Sequence, residues 1–412
     1  MSLKNNKFST QVTHSGRHPQ AHHGAVNPPV YHASTILSPS VQERRRLTST
    51  TGDKNVSKTF SSARQGMPTS SYGRKGTPTS AAFEEAVAEI YGADDAVAVS
   101  SGLAAIACAL QTILKSGDHI LVTDTIYLPT RRFCDVYLAK MGVTTTYYNP
   151  YRGADIAELI TEQTAAVFVE SPGSLTFEIM DIPAIAAVAH AHDIPVVMDN
   201  TWASAMFFKP FEKGVDIVIE AVTKYICGHS DVMMGVIVAN APHIQRIREM
   251  CHTQGQCCGP DDLYLAQRGL RTMVVRMKQN EANALALAHW LETRKEVAEV
   301  RHPGLPSHPD HALWQRDFSG SSGLFAIIMQ DYPEAAIEAF VDGLRFYGIG
   351  ASWGGYESLI LPDDPSSTRT ATRWQARGQL LRIHAGLEDV EDLKSDLERG
   401  FERLNALVGK VT

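Results

Sequence analysis

The sequence predicts an α/β protein: a mostly parallel central sheet, with an N-terminal arm before it and a smaller C-terminal α+β domain after it. Three observations carry this expectation. Between about residues 80 and 240, short uninterrupted apolar runs alternate with helix-period segments, the pattern of strands buried on both faces. The residues before about 70 show little of either period. After a helix-rich stretch over 261–293, strand and helix patterns return in a different mixture.

In chain order, residues 1–70 form the expected arm. They hold five histidines (His14, His18, His22, His23, His32), Pro28-Pro29, the basic run Arg44-Arg45-Arg46 and a Ser/Thr-rich stretch over 48–62. An arm of this kind packs on a neighbouring subunit. A helix is predicted over 81–91, because Phe83, Ala86, Val87 and Ile90 share one face. Strands are predicted over 96–99, 120–122, 143–148, 165–169, 195–198, 217–219 and 236–239, with helices over 102–114, 130–140 and 183–191. These fill a large domain over 71–268. The last domain, 269–412, begins near Gly269. It carries predicted strands over 322–328 and 381–384 and predicted helices over 333–342 and 390–407.

Composition narrows the function classes. The chain has 412 residues, 38 Lys plus Arg against 45 Asp plus Glu, and a formal charge of −7. That balance argues against nucleic acid or an anionic membrane as a general partner. No apolar run approaches the ~20 residues that span a bilayer. The first thirteen residues are polar and lack a signal-peptide core, so the expected location is the cytoplasm. Six cysteines do not make a disulfide framework in a chain of this length. Cys251, His252, Cys257 and Cys258 lack zinc-site spacing, and no metal is expected. No Walker A loop and no Gly-x-Ser-x-Gly elbow is present.

The chemistry is sought at strand ends, where open α/β sheets collect ligands. Ser100-Ser101-Gly102-Leu103 ends one strand and opens a helix, either as a plain cap or as an anion site built from free amides. Glu170 follows a buried strand, as a loop anchor or a site carboxylate. Asp199 ends an apolar strand, either as a turn residue or as a desolvated carboxylate facing a cation. Lys224 lies just beyond another buried strand, where burial would lower its pKa and make the amine a nucleophile. One ligand suits all of these: pyridoxal 5′-phosphate (PLP), with its phosphate, protonatable ring nitrogen and aldehyde.

Several stretches in their order resemble the PLP-dependent enzymes of cysteine and methionine metabolism. They are Tyr72-Gly73-Arg74-Lys75-Gly76-Thr77, Ser101-Gly102-Leu103, Glu170-Ser171-Pro172-Gly173-Ser174 and Asp199-Asn200-Thr201-Trp202. Thr223-Lys224-Tyr225, Gly228-His229-Ser230-Asp231, the run from Ser352-Trp353-Gly354 to Ser358, and Leu381-Arg382-Ile383-His384 complete the set. The likeness extends from about Phe8 to the C-terminus. It implies fold type I, PLP as cofactor, and a homotetramer whose active sites are shared across each dimer. By position, Lys224 resembles the Schiff-base lysine, Asp199 the partner of the pyridine nitrogen, and Tyr127 the ring-stacking tyrosine. Ser101, Gly102, Leu103 and Thr223 match the phosphate site, and Tyr72 and Arg74 the pair sent to the neighbour's phosphate. The catalytic set is then Lys224, Tyr127 and Tyr72. Arg382 resembles the substrate-carboxylate clamp, with Ser352 and Trp353 beside it.

Ser174 and Trp353 favour members that act at the β-carbon. The resemblance thus implies a carbon–sulfur lyase releasing homocysteine, pyruvate and ammonia from L-cystathionine, a step of methionine biosynthesis. The alternatives are a γ-acting lyase or synthase, a β-lyase of other cysteine S-conjugates, and a PLP-loaded regulatory protein; racemase or desulfhydrase side activity is compatible with the same site. Three features depart from the family pattern. Ala221 stands where a phosphate-binding serine is usual. Arg131 and Arg132 follow the Tyr127 loop and are read as solvated or as altering the substrate entrance. The stretch 47–64 is longer than usual.

Overall fold

In a computed structural model, residues 5–49 and 72–409 are described. The large sheet contains β1 (Asp95–Val99), β2 (His119–Thr123), β3 (Thr144–Tyr148), β4 (Thr164–Glu170), β5 (Val196–Asp199), β6 (Ile217–Glu220) and β7 (Gly235–Ala239). Their order is β1-β7-β6-β5-β4-β2-β3. Only β7 runs antiparallel to its neighbours, β1 and β6. The remaining pairs are parallel.

Alternate residues of these strands feed two cores. Val97, Ile120, Phe168, Val197 and Ile219 are buried on one face. Ala98, Leu121, Val167, Met198 and Val218 are buried on the other. Each large apolar side chain fully removed from water contributes about 1.5–3 kcal/mol, so both faces must be covered by helices. β3 lies at the edge, and its run of Thr and Tyr is correspondingly more exposed.

The second sheet contains β8 (Val297–Arg301), β9 (Leu324–Met329), β10 (Tyr347–Gly348), β11 (Ser358–Asp363) and β12 (Leu380–His384), in the order β10-β11-β12-β9-β8. Helices Glu334–Asp342 and Val390–Val408 cover it. The helix Pro260–Leu291 joins the two units. Leu263 to Met277 pack in the large core, and Ala284 to Leu291 in the small one. The division expected at residue 269 falls inside this helix.

Some elements escaped the periodicity. β8 alternates poorly because Glu299 and Arg301 fall in a short, half-exposed strand. β11 contains Pro362 near its end. The amphipathic helix His243–Thr253 was also missed. In the arm, helices Phe8–His14 and Val41–Ser49 form despite the absent period. The first buries a single side chain, Val12, too little to register as a stripe.

The start of the arm docks on its own chain. The Arg271 guanidinium donates to the Val12 and Ser15 carbonyls at 2.7 and 2.8 Å. His18 meets Glu85 at 2.7 Å. Gly16 (φ +62°) lies so close to the helix Pro78–Tyr91 that an added Cβ would sit 2.1 Å from the Ala82 carbonyl oxygen. Further on, Val26, Leu37 and Val41 are exposed. Most of the long stretch 47–64 lies outside the described residues. Among the described residues, no helix is long and apolar enough to cross a membrane.

Candidate active site

The carboxyl ends of β4, β5 and β6 deliver Glu170, Asp199 and the Thr223-Lys224 turn to one place. Thr201, two residues past Asp199, makes an Asx-type turn. Its amide and hydroxyl both donate to Asp199 Oδ1, at 3.0 and 2.5 Å. The same hydroxyl accepts from the Ala221 amide at 2.9 Å, tying the end of β5 to the turn after β6. Burial raises the Asp199 pKa. The two Thr201 bonds and the Lys224 charge oppose this without cancelling it. A carboxylate so placed regains its charge when a cation meets it.

Lys224 is pushed down to about 8, first by burial and then by the charge of Arg382, with Asp199 opposing. Its ammonium donates to the Ser352 hydroxyl and stands 5.1 Å from the centre of the Trp353 ring. Ser352 adopts φ +87°, unusual for a side chain with a Cβ. This turns its hydroxyl to Lys224 while its carbonyl accepts from Arg382 Nη2 at 3.0 Å. The next glycine is sterically required. A Cβ on Gly354 (φ +83°) would sit 3.0–3.1 Å from the backbone and Cβ of Lys224. Arg382 also donates to the Gly350 carbonyl at 3.3 Å. Among the described residues no acidic side chain is bonded to it, and its guanidinium suits an incoming carboxylate.

Tyr127 opens a short helix after β2, and its amide donates to Glu170 Oε2 at 2.8 Å. Glu170 is thus the loop anchor of the two readings above. Burial, then the nearby Asp199 charge, raises its pKa well above the ordinary value. The Tyr127 phenol is also raised, by burial, Asp199 and Glu170, with Arg382 opposing. Tyr127, Asp199, Lys224 and Arg382 therefore share one electrostatic environment.

At the helix Gly102–Ile113, the Ser101 hydroxyl caps the Ala104 amide at 3.1 Å. The Gly102 and Leu103 amides, in the first turn, have no intrahelical acceptor and are available to an anion. A Cβ on Gly102 would come 2.8 Å from the Ala221 methyl, so the small residue at 221 and the glycine are matched in shape. The Thr223 hydroxyl exchanges hydrogen bonds with the Met234 amide and carbonyl, at 3.0 and 3.2 Å. Met234 is buried and Met233 is exposed.

Tyr72 and Arg74 are not brought to Lys224 within the chain. They line a separate cavity of about 380 Å³ with Arg248, His252 and Gln256. Arg74 Nη1 donates to the His252 carbonyl there, at 2.7 Å. Arg131 corrects the solvated reading. It is buried, bound to Asp124 at 2.6 Å and stacked 3.5 Å from the centre of the Tyr147 ring. Arg132 is exposed. Thr201 was missed as the residue that orients Asp199, although Asp-x-Thr is a recognisable turn pattern.

These residues fit PLP on their own chemistry. A helix terminus offers amides to a phosphate, a buried carboxylate meets Thr201 on one oxygen and no cation among the described residues on either, and a lysine amine is partly deprotonated near neutrality. The fold and site together define a PLP enzyme of fold type I. Residues 9–402 match the model of the Cys/Met metabolism PLP-dependent enzymes, and the chain belongs to that family. It is similar to the cystathionine beta-lyase MetC of Escherichia coli, with 38% identity over 98% of this chain and all of the relative. It is 41% identical to the L-alanine/L-glutamate racemase of Wolbachia pipientis wMel, over 97% of this chain and 98% of the relative. Among solved structures it resembles cystathionine gamma-lyase from Lactobacillus plantarum, complexed with L-serine. That likeness has a TM-score of 0.85 and 31% identity, and covers 97% of this chain and 99% of the other.

Proposed function

We propose that this PLP-dependent enzyme is a carbon–sulfur lyase that converts L-cystathionine and water to homocysteine, pyruvate and ammonia. The observation that carries the reading is the convergence of Lys224, Ser352 and Arg382: a base, its hydrogen-bonding partner and a carboxylate clamp around one space. Full-length similarity to a cystathionine beta-lyase supports the substrate. The reading includes a cytoplasmic location. It also includes a homotetramer built of two dimers, in which Tyr72 and Arg74 reach the partner's phosphate site.

PLP supplies an aldehyde for the substrate amine and a protonated ring that withdraws electrons from Cα. Asp199 would hold the proton on the ring nitrogen, with Thr201 keeping its other oxygen occupied. Tyr127 would pack on the ring, and the Gly102 and Leu103 amides would bind the phosphate. Arg382 grips the α-carboxylate and so orients the Cα–H bond toward Lys224, which removes that proton. The Cβ–S bond then breaks, and the thiolate leaves as homocysteine after protonation. Water converts the remaining three-carbon fragment to pyruvate and ammonia.

The test is product analysis of the PLP-saturated protein with L-cystathionine. Pyruvate and homocysteine are expected; 2-oxobutyrate and cysteine would instead make it γ-acting. A second reading, amino-acid racemization, is favoured by the 41% identity to a racemase. D-alanine forming from L-alanine faster than pyruvate forms from cystathionine would establish it. The shared site has its own test. A hydrogen bond to a charged group contributes about 1.5–3 kcal/mol, so Arg74→Ala is expected to weaken PLP retention roughly 10- to 100-fold. Unchanged retention, measured by fluorescence titration, would remove Arg74 from the phosphate site.

A further inference from the structure

β11 and β12 are antiparallel neighbours, yet residues 364–379 join them, where hairpins commonly need two to five residues. This long strap leaves the small sheet and reaches the large one. Its Thr370 amide and hydroxyl donate to Asp124 Oδ1 at 3.0 and 3.2 Å. Its Thr372 amide and hydroxyl donate to Asp124 Oδ2 at 2.8 and 2.6 Å. Arg131 completes the shell around this fully buried carboxylate. Arg369, also on the strap, donates to the Ser174 carbonyl and the Thr176 hydroxyl, at 3.2 and 2.6 Å.

The two ends of this attachment both lead to the site. Asp124 and Arg131 bracket the loop that carries Tyr127, and the Arg131 guanidinium closes that loop on itself. On the other side, the strap runs directly into β12, which carries Arg382. We infer that Asp124, held by Arg131, is a positioning residue: it ties the strap, and through it Arg382, to the Tyr127 loop, and so sets the enzyme's affinity for the substrate carboxylate. This rests on the reading of Arg382 as the carboxylate clamp. It gives Arg131 a role that its position in the sequence did not reveal.

The experiment uses the PLP-loaded enzyme and two probes, glycine and methylamine, which differ by the carboxylate. Binding is followed by the change in cofactor absorbance. Strap attachment is followed separately, by the rate of tryptic cleavage at Arg373 and Arg377. Asp124→Asn is expected to speed cleavage at least fivefold and to weaken glycine about tenfold, while methylamine changes less than twofold. Unchanged cleavage overturns the proposal, because the strap is then not held by Asp124. Faster cleavage with glycine unaffected, or with both probes weakened alike, overturns it as well. Arg382→Leu is the control: if it leaves the preference for glycine intact, the clamp reading fails and not the strap. If Asp124→Asn does not fold, Thr372→Val, which removes one hydroxyl donor, is put through the same comparison.

Discussion

Lys224→Ala is expected to lower turnover of L-cystathionine by at least about 10²–10⁴-fold, since on the proposed reading it removes both the covalent attachment point and the base. The protein should remain folded. Lys224 is largely enclosed, with its charge opposed by burial and by Arg382, so its removal relieves an unfavourable group. The sign of the pH effect follows. The folded-state pKa lies near 8 and the ordinary value is 10.5. In the cofactor-free protein the cost of burying the charge is present in full below about 8. It diminishes as pH rises toward 10.5, because the unfolded chain holds the proton there and the folded chain does not. Cofactor-free Lys224→Ala should therefore melt above the cofactor-free parent at pH 7, with the gap narrowing across that window. Capture of PLP by the parent should accelerate as pH rises to about 8 and then level. A Lys224→Ala enzyme retaining a tenth of parental turnover would end the assignment.

Asp199→Asn is expected to cost about 10²–10³-fold in kcat, the size of effect seen when one preorganised electrostatic group is removed from a reaction centre. The amide can still accept from Thr201, so the turn and the fold should persist. What it cannot do is hold a proton on the ring nitrogen by its charge. Two other carboxyls lie nearby but do not substitute. Glu170 is committed to the Tyr127 amide and is held well above its ordinary pKa by burial. Glu220 is bonded to the Tyr91 hydroxyl and raised to about 8, chiefly by burial. Glu220 therefore favours the neutral form at pH 7. Asp199→Asn with kcat within threefold of the parent, and unchanged PLP affinity, would show that some other group serves the ring nitrogen.

The large sheet and the candidate site were legible for a local reason. Six of the seven strands of the large sheet are short apolar runs, the edge strand β3 being the exception, and strand burial is written in consecutive residues. Asp199, Lys224 and Ser101-Gly102 each end such a run or follow it closely, so their place at the sheet's carboxyl edge followed from the strands themselves. The family resemblance then supplied Tyr127, Arg382 and Ser352, which no periodicity would have singled out. The arm was less legible. Its docking depends on Arg271 and Glu85, far along the chain, and leaves only Val12 as a buried side chain in its first helix.

The chain's own order of residues therefore determined the fold class and the cofactor chemistry and singled out Lys224 as the candidate reactive lysine, because those depend on residue type and short-range pattern. Tertiary structure alone decided how the site is held. The pKa of Lys224 depends on Arg382 arriving from the other sheet. The role of Arg131 depends on Asp124 and on Thr370 and Thr372, which approach from the opposite end of the sequence. Isolated in the sequence, an arginine beside a loop reads as solvated. Buried against a carboxylate that also binds a strap, it becomes part of the frame. The physical reason is that a charge's energy is set by what surrounds it in space, and sequence separation carries no information about that.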